Sequence, residues 1–368
     1  MKKIILFIDN LGSGGAQRQI VNLAVLFQQY GYDVSLLVYQ NMPFYQHYLD
    51  EQKIPVVVIE SRNYVERLLA VRRYLRRSDA DAVITFLETP GFIGCFSKMG
   101  GAKWRLITNE LSAKLRTFTA RRNRIFNWFE RFSDAKVCNS ENARGMWRKY
   151  YPQWDHKYRC IYNPVIMSRE FPKLAQQHKR GDRFVITVAA SYQGLKNPLR
   201  VIEAVHLLPK ELQDQLLVVW HGRAEVTTGN TQVYDEAVAS VEKYGLRECM
   251  HLKQETNQIY EVMANSDAVG LFSEVEGLPN TICEGMMLGK PIIMSQVSDY
   301  AILTDGNGVT CDPFSVESIR DAIARLLAFS QDEIAEMGKT SAEKAQKLFA
   351  PESITAQWVA VIEGQDGM

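Results

Sequence analysis

"AVGLFSEVEGLPNTICEGMMLGKP", residues 268–291, places a short apolar run, a loop and a second apolar run in that order. AVGLFS is bounded by polar residues and reads as a buried strand. EVEGLP is the loop at its carboxyl end, closed by Pro279. NTICEGMML then reads as a helix, with Asn280 as its N-cap and Gly289 as its stop. A helix starting just past such a strand turns unpaired amides, here Thr281 and Ile282, toward the sheet edge, where they favour an anion. Two acids, Glu276 and Glu284, stand around that turn eight positions apart. Carboxylates do not bind anions, but they accept hydrogen bonds from hydroxyls such as those of a ribose. On spacing alone, an exposed loop acid and a surface helix acid fit equally well.

The same unit recurs along the chain. KKIILFID, DVSLLVYQ, IPVVVIE, DAVITFL, WRLITNEL, AKVCNS and YRCIYNP read as strands between amphipathic segments. A long helix is expected near 119–133. The pattern loosens through a polar stretch at 166–182 and restarts with RFVITVAAS, LLVVWHG, CMHLKQ, AVGLFS and PIIMSQ. Short apolar strands alternating with helices predict α/β architecture with parallel sheets wound on both faces. At 368 residues, two such domains are the default. The expectation is a first domain at 1–165, a linker at 166–182 and a second domain at 183–350. Ligands of such sheets bind at the carboxyl ends of the strands, so a cleft between the domains is the expected site.

Net charge is +1, but residues 1–165 carry 25 basic against 14 acidic residues, and the rest carries 18 against 28. A basic half suits anionic lipid, nucleic acid or a phosphorylated substrate; two domains attracting each other would also explain it. No nucleic-acid-binding module is recognisable. The six cysteines form no CxxC pair, which argues against a zinc site or disulfide framework and fits a reducing compartment. The opening MKKIILFIDNLG is too short for a signal peptide's apolar region, and no apolar run approaches a membrane span. The six histidines have no metal-ligand spacing. Asp79 and Asp81 read as a turn and cap, and GSGG fits neither a dinucleotide fingerprint nor a P-loop.

With these residues placed, EGLPNTICEGMxxGKP resembles the E-x7-E segment of retaining, nucleotide-sugar-dependent glycosyltransferases with two Rossmann-like domains, the GT-B fold (family 4). LGSGGAQRQIVNLA is similar to that family's amino-terminal GGAER loop and helix. IYNPV, VAASYQGLKNPLRVIEA and IYEVMANSDAVGLFS resemble further segments in the same order. The resemblance implies that residues 351–368 cross back to the first domain. It implies Glu284 on the ribose hydroxyls and Glu276 on the donor sugar. Amides of Asn280, Thr281 and Ile282, in the loop with Gly277 and Leu278, would cradle the diphosphate, with Lys196 neutralising it. Gly14 and Gly15 would let the first loop approach phosphate and acceptor closely. With the leaving group held this way, no metal and no cofactor are expected; the nucleotide-sugar, UDP-linked, is a co-substrate.

Two positions depart from the family. Ser191 stands where an Arg is usual, with Arg223 after Gly222 as a candidate substitute. Leu111 stands where many relatives have a His, which makes the neighbouring Glu110 a candidate for touching the acceptor hydroxyl or the sugar; otherwise it is a loop acid capping backbone. KLRTFTARRNRIFNWFERF interleaves Arg116, Arg121, Arg122, Arg124 and Arg131 with Trp128 and phenylalanines, which suits an anionic membrane surface. The alternative is aromatics in the core and a solvated basic face. The expected reaction is sugar transfer to a polyprenyl-diphosphate-linked or other glycolipid acceptor, on the cytoplasmic face of the cell membrane, in cell-surface glycan assembly. A sugar-nucleotide epimerase and a non-catalytic glycan- or lipid-binding relative remain open alternatives.

Overall fold

The computed structural model describes residues 1–12, 14–111, 115–225 and 229–365. The chain divides into two compact units, Met1–Ile166 with Ala350–Met368, and Met167–Phe349.

In the first unit, seven parallel strands form one sheet: β1 (Lys3–Phe7), β2 (Asp33–Val38), β3 (Val56–Val58), β4 (Ala82–Phe86), β5 (Arg105–Glu110), β6 (Ala135–Cys138) and β7 (Tyr158–Cys160). Their order is β3-β2-β1-β4-β5-β6-β7. Alternation along β1 separates two cores. Ile4 and Leu6 face one cluster with Phe27 and Ile84, while Ile5 and Phe7 face another with Val83 and Leu106. The helix Pro351–Glu363 completes the first cluster with Ile354, Trp358, Val361 and Ile362. Trp358 meets Phe27 edge to face at 6.0 Å, and Arg105 Nε donates to the Val361 carbonyl at 2.7 Å.

The second unit has six parallel strands: β8 (Phe184–Ala189), β9 (Leu216–Gly222), β10 (Met250–Gln254), β11 (Ala268–Leu271), β12 (Ile292–Ser295) and β13 (Gly308–Cys311). Their order is β10-β9-β8-β11-β12-β13. The winding direction reverses between β8 and β11, which opens a crevice at their carboxyl ends. β11 is the strand of the opening stretch, and the loop carrying Glu276 lies at this switch point.

The structure corrects several expectations. Residues 167–182 belong to the second unit, and Glu170–Gln177 is a helix within them, its Phe171 ring 5.6 Å from Tyr260. The helix near 119–133 is three pieces, Arg116–Thr119, Arg121–Trp128 and the 3-10 turn Phe129–Phe132. Glu88–Lys98 is a helix that the sequence pattern hid. Its glycine Gly94 has no room for a Cβ, which would lie 2.7 Å from Thr85 Cγ2. Part of the basic charge is structural: Arg72 and Arg76, on the helix Tyr64–Arg77, donate to the carbonyls of Ser97 and Met99 at the end of Glu88–Lys98. That arrangement satisfies orphan carbonyls and complements the helix dipole. None of the six cysteines is in a disulfide, and among the described residues no helix is long and apolar enough to cross a membrane.

Candidate functional site

The loop after β11 is clipped to the loop after β8. Lys196 Nζ bonds Glu276 Oε1 at 2.6 Å, and Ser273 Oγ donates to the same oxygen at 2.7 Å. Arg200 bonds both Glu274 and Asn197 Oδ1, and the Glu274 amide donates to the Leu195 carbonyl at 2.8 Å. Asn197 holds a left-handed φ of 71° and caps the helix Pro198–His206. Lys196 is therefore not alone beside Ser191. Arg200, one helical turn on, supplies a second ion pair that sequence reasoning missed; its only signal was the i,i+4 spacing from Lys196.

The helix Asn280–Met287 starts differently from expectation. Its N-cap is Pro279, and Asn280 is the first helical residue. The Ile282 amide already donates to the Pro279 carbonyl at 3.0 Å, so it is not one of the free donors expected there. The Thr281 hydroxyl donates to the Ala189 carbonyl at 3.0 Å and fastens the helix start to β8. Glu284 is buried one turn in, its Oε1 accepting from the Tyr260 hydroxyl at 3.4 Å. Gly285 has no room for a Cβ, which would lie 2.8 Å from Val269, so the helix packs directly on β11. The Gly277 carbonyl accepts from Ser298 Oγ, and Leu278 is buried.

At the end of β9, a Cβ on Gly222 would lie 2.0 Å from the Ala190 carbonyl, so only glycine fits. Arg223 is turned to Glu255, Nε to Oε1 at 3.1 Å, on the surface. His221 sits on β9. Desolvation lowers its pKa, opposed by the bond between Nδ1 and the Gln254 carbonyl.

In the first unit, Gly14 caps the helix Gly15–Tyr30 with an extended backbone (φ −83°) and no side-chain cap; both glycines are exposed. Asp9, which the sequence reading did not single out, lies past the end of β1 and accepts from Gln17 Nε2 at 3.3 Å. Burial raises its pKa. Glu110 is not a loop acid: it ends β5 and is buried. It shares its surroundings with a buried ion pair, Lys136 Nζ to Glu130 Oε1 at 2.8 Å, with the ammonium 4.0 Å over the Trp147 ring. Desolvation opposes the Lys136 charge, but the carboxylates of Glu130 and Glu110 outweigh it and hold that pKa above the ordinary value.

The basic and aromatic stretch 116–132 divides its residues. Phe118 is buried, and Phe126 stacks on Phe92 at 4.3 Å. Arg116, Arg121, Arg122, Arg124, Ile125 and Trp128 are exposed, with the Arg131 guanidinium 3.7 Å over the Trp128 ring. Among the described residues no three His, Cys, Asp or Glu side chains gather as a metal site would require.

Residues 13–169 match the family described as Glycosyltransferase Family 4, and residues 170–345 match Glycosyl transferases group 1. A Campylobacter jejuni alpha-1,4-N-acetyl-D-galactosaminyltransferase, whose name specifies a diphospho-undecaprenol-linked saccharide, is 25% identical over 300 residues, covering 78% of this chain and 77% of its own. The Escherichia coli lipopolysaccharide glucosyltransferase WaaG is 23% identical over 284 residues, 71% of each chain. The fold is shared with Anabaena HepE, solved in complex with UDP, at a TM-score of 0.84 and 18% identity over 99% of this chain and 100% of that one. Two parallel-sheet units with a strand–loop–helix edge in the second, and two family matches that run together from residue 13 to residue 345, make the chain a glycosyltransferase of the GT-B type.

Proposed function

We propose that the protein transfers a sugar, with retention of anomeric configuration, from a UDP-sugar to a hydroxyl of a lipid-linked saccharide. The observation that carries this reading is the Lys196–Glu276 pair, 2.6 Å apart at the switch point of the second sheet, with Glu284 buried on the helix that follows. When the sugar leaves, negative charge grows on the departing diphosphate and positive charge at the anomeric carbon. A preorganised ammonium and carboxylate meet those two charges without reorganising. Glu284 takes the ribose hydroxyls and Glu276 the transferred sugar. The amides of Asn280 and Thr281 at the helix start face the diphosphate, so the reaction needs no metal ion. The leaving phosphate takes the acceptor proton, and Glu110 helps orient the acceptor.

The names of the Campylobacter and Escherichia relatives support a lipid-linked acceptor in surface-glycan assembly. Exposed Arg116, Arg121, Arg122, Arg124 and Trp128 support docking on an anionic membrane from the cytoplasmic side.

A panel of nucleotide-sugars, read by calorimetry and by slow hydrolysis, tests the donor. Glu284→Ala should abolish detectable UDP binding, and Lys196→Ala should lower kcat by about 10²–10³ on the identified donor. Near-normal turnover in both variants would remove the site assignment, and an inverted product anomer in the NMR spectrum would remove retention.

A further inference from the structure

The amino edge of the second sheet, opposite the loop that carries Glu276, holds another cavity, of about 890 Å³. It is walled by the helices Glu170–Gln177 and Gln331–Phe349, by Ser266 and Asp267 before β11, and by residues 287–291. Gly289, in the left-handed region at φ 70°, ends the helix Asn280–Met287, and the Lys290 amide turns back to the Gly285 carbonyl at 3.0 Å. This stop fixes Lys290 in the cavity wall. The position is tightly set, because a Cβ on Gly338 would lie 2.4 Å from the Gly289 carbonyl.

Lys290 is 4% exposed. Its ammonium can donate three hydrogen bonds, and among the described residues it makes one, a long 3.4 Å contact to the Ala175 carbonyl. Asp267, the carboxylate closest in effect, is already engaged by the Val185 amide at 2.7 Å and by His178 Nε2 at 3.2 Å. Desolvation lowers the Lys290 pKa to about 8, with Asp267 pulling the other way. A buried ammonium with so few acceptors is costly, and a methionine would fill the same space without that cost. Lys179, Arg180 and Lys339 line the same cavity, the last shared with Glu336, and the facing acids are Asp267 and Asp332.

We propose that this cavity binds a small phosphorylated polyol, its phosphate on Lys290 and the neighbouring cations. The cations outnumber the facing acids, which favours a phosphate group. Asp332 and the backbone carbonyls at the helix end accept from hydroxyls, which favours a sugar or nucleoside body over bare phosphate. The volume suits a ligand of that size. The proposal stands apart from the donor site at the opposite edge of the sheet.

The test uses the full chain, with glucose 1-phosphate and inorganic phosphate as probes, read by calorimetry and by melting temperature at pH 7.5. Glucose 1-phosphate should bind the wild type and Lys196→Gln alike, more tightly than inorganic phosphate, and raise both melting temperatures. Lys290→Met should weaken it by about tenfold or more without melting lower than the wild type. A Lys179→Gln/Arg180→Gln variant, altered only at the cavity wall, should also bind more weakly, and it decides the matter if Lys290→Met does not fold. Affinity should fall as pH rises through about 8, where phosphate is already a dianion and Lys290 loses its charge. Unchanged affinity in the cavity variants overturns the proposal. So does loss in Lys196→Gln alone, which would put the anion in the donor site, or absence of heat and melting shift at about 10 mM probe.

Discussion

Two lysines of the second unit solve opposite problems. Lys196 shares its charge with Glu276 across 80 residues of sequence, both side chains largely shielded from water. Removing either partner strands the other, so Lys196→Met and Glu276→Gln should each destabilise. A double-mutant cycle in denaturant should give a coupling of about 1–3 kcal/mol. Among the described residues Lys290 has no such partner, and Lys290→Met should be neutral or stabilising by about 1–3 kcal/mol. The pH dependence has a definite sign. Its folded pKa, about 8, lies below the ordinary lysine value, so the unfolded chain binds more protons between the two. The stability tied to Lys290 is therefore full above the ordinary lysine value and lost as pH falls through about 8. Denaturation midpoints from pH 7 to 10 should show the wild type gaining on Lys290→Met. Glu276 and Glu284 stood out in the sequence as acids flanking a strand-end turn and helix start, and Lys196 only through the family resemblance. It was silent on Arg200, Asp9 and Lys290, whose roles depend on burial and on partners far along the chain.

Glycines decide the elements, and they mislead a reader of sequence. Gly91 and Gly94, with Pro90, look like breakers, yet Glu88–Lys98 is a helix. Gly94 lets it lie against β4 at a distance that no side chain allows. Gly285 does the same for the helix carrying Glu284. Gly285→Ala should cost about 1–3 kcal/mol through overpacking and, by moving that helix off β11, weaken nucleotide binding as well; chemical denaturation and calorimetry read the two effects separately. Ser140, read with the strand before it, is the N-cap of the helix Glu141–Tyr150. Ser140 is buried, its Oγ accepts from the Ala143 amide at 3.1 Å, and Ser140→Ala should cost about 1 kcal/mol in the same assay. The helix start at 280 was misread by one residue because Asn280 has an N-cap's chemistry, while in the structure Pro279, with a non-helical ψ of 86°, is the cap.

At the scale of the molecule, two α/β units were readable because the central strands, such as β4, β11 and β12, are short apolar runs buried on both faces. Their boundaries were less so. Polar composition made 166–182 look like a linker, but Phe171 and Ala175 give the helix there enough apolar surface to join the second unit. The charge asymmetry also divides on inspection: Arg72 and Arg76 serve helix carbonyls, while Arg121, Arg124 and their neighbours remain on the surface. Binding to vesicles containing anionic lipid should therefore fall with added salt and with Arg121→Gln/Arg124→Gln. Sedimentation with vesicles checks this; salt-independent binding would contradict it.

The helix Pro351–Glu363 gives the first unit part of its core, although the whole second unit is made before it. Ribosomes add about 5–20 residues per second, so some 10–40 s separate the last strand of the first sheet from Trp358. Throughout that interval the nascent first sheet exposes the patch around Phe27 that Trp358 later covers. The second unit, contiguous in sequence, can close first. Such a chain offers chaperones an extended window, and its first unit matures last despite being synthesised first. A ribosome stalled before residue 350 would hold a finished second unit beside an unfinished first one, which limited proteolysis of stalled chains would reveal as selective cutting within residues 1–166.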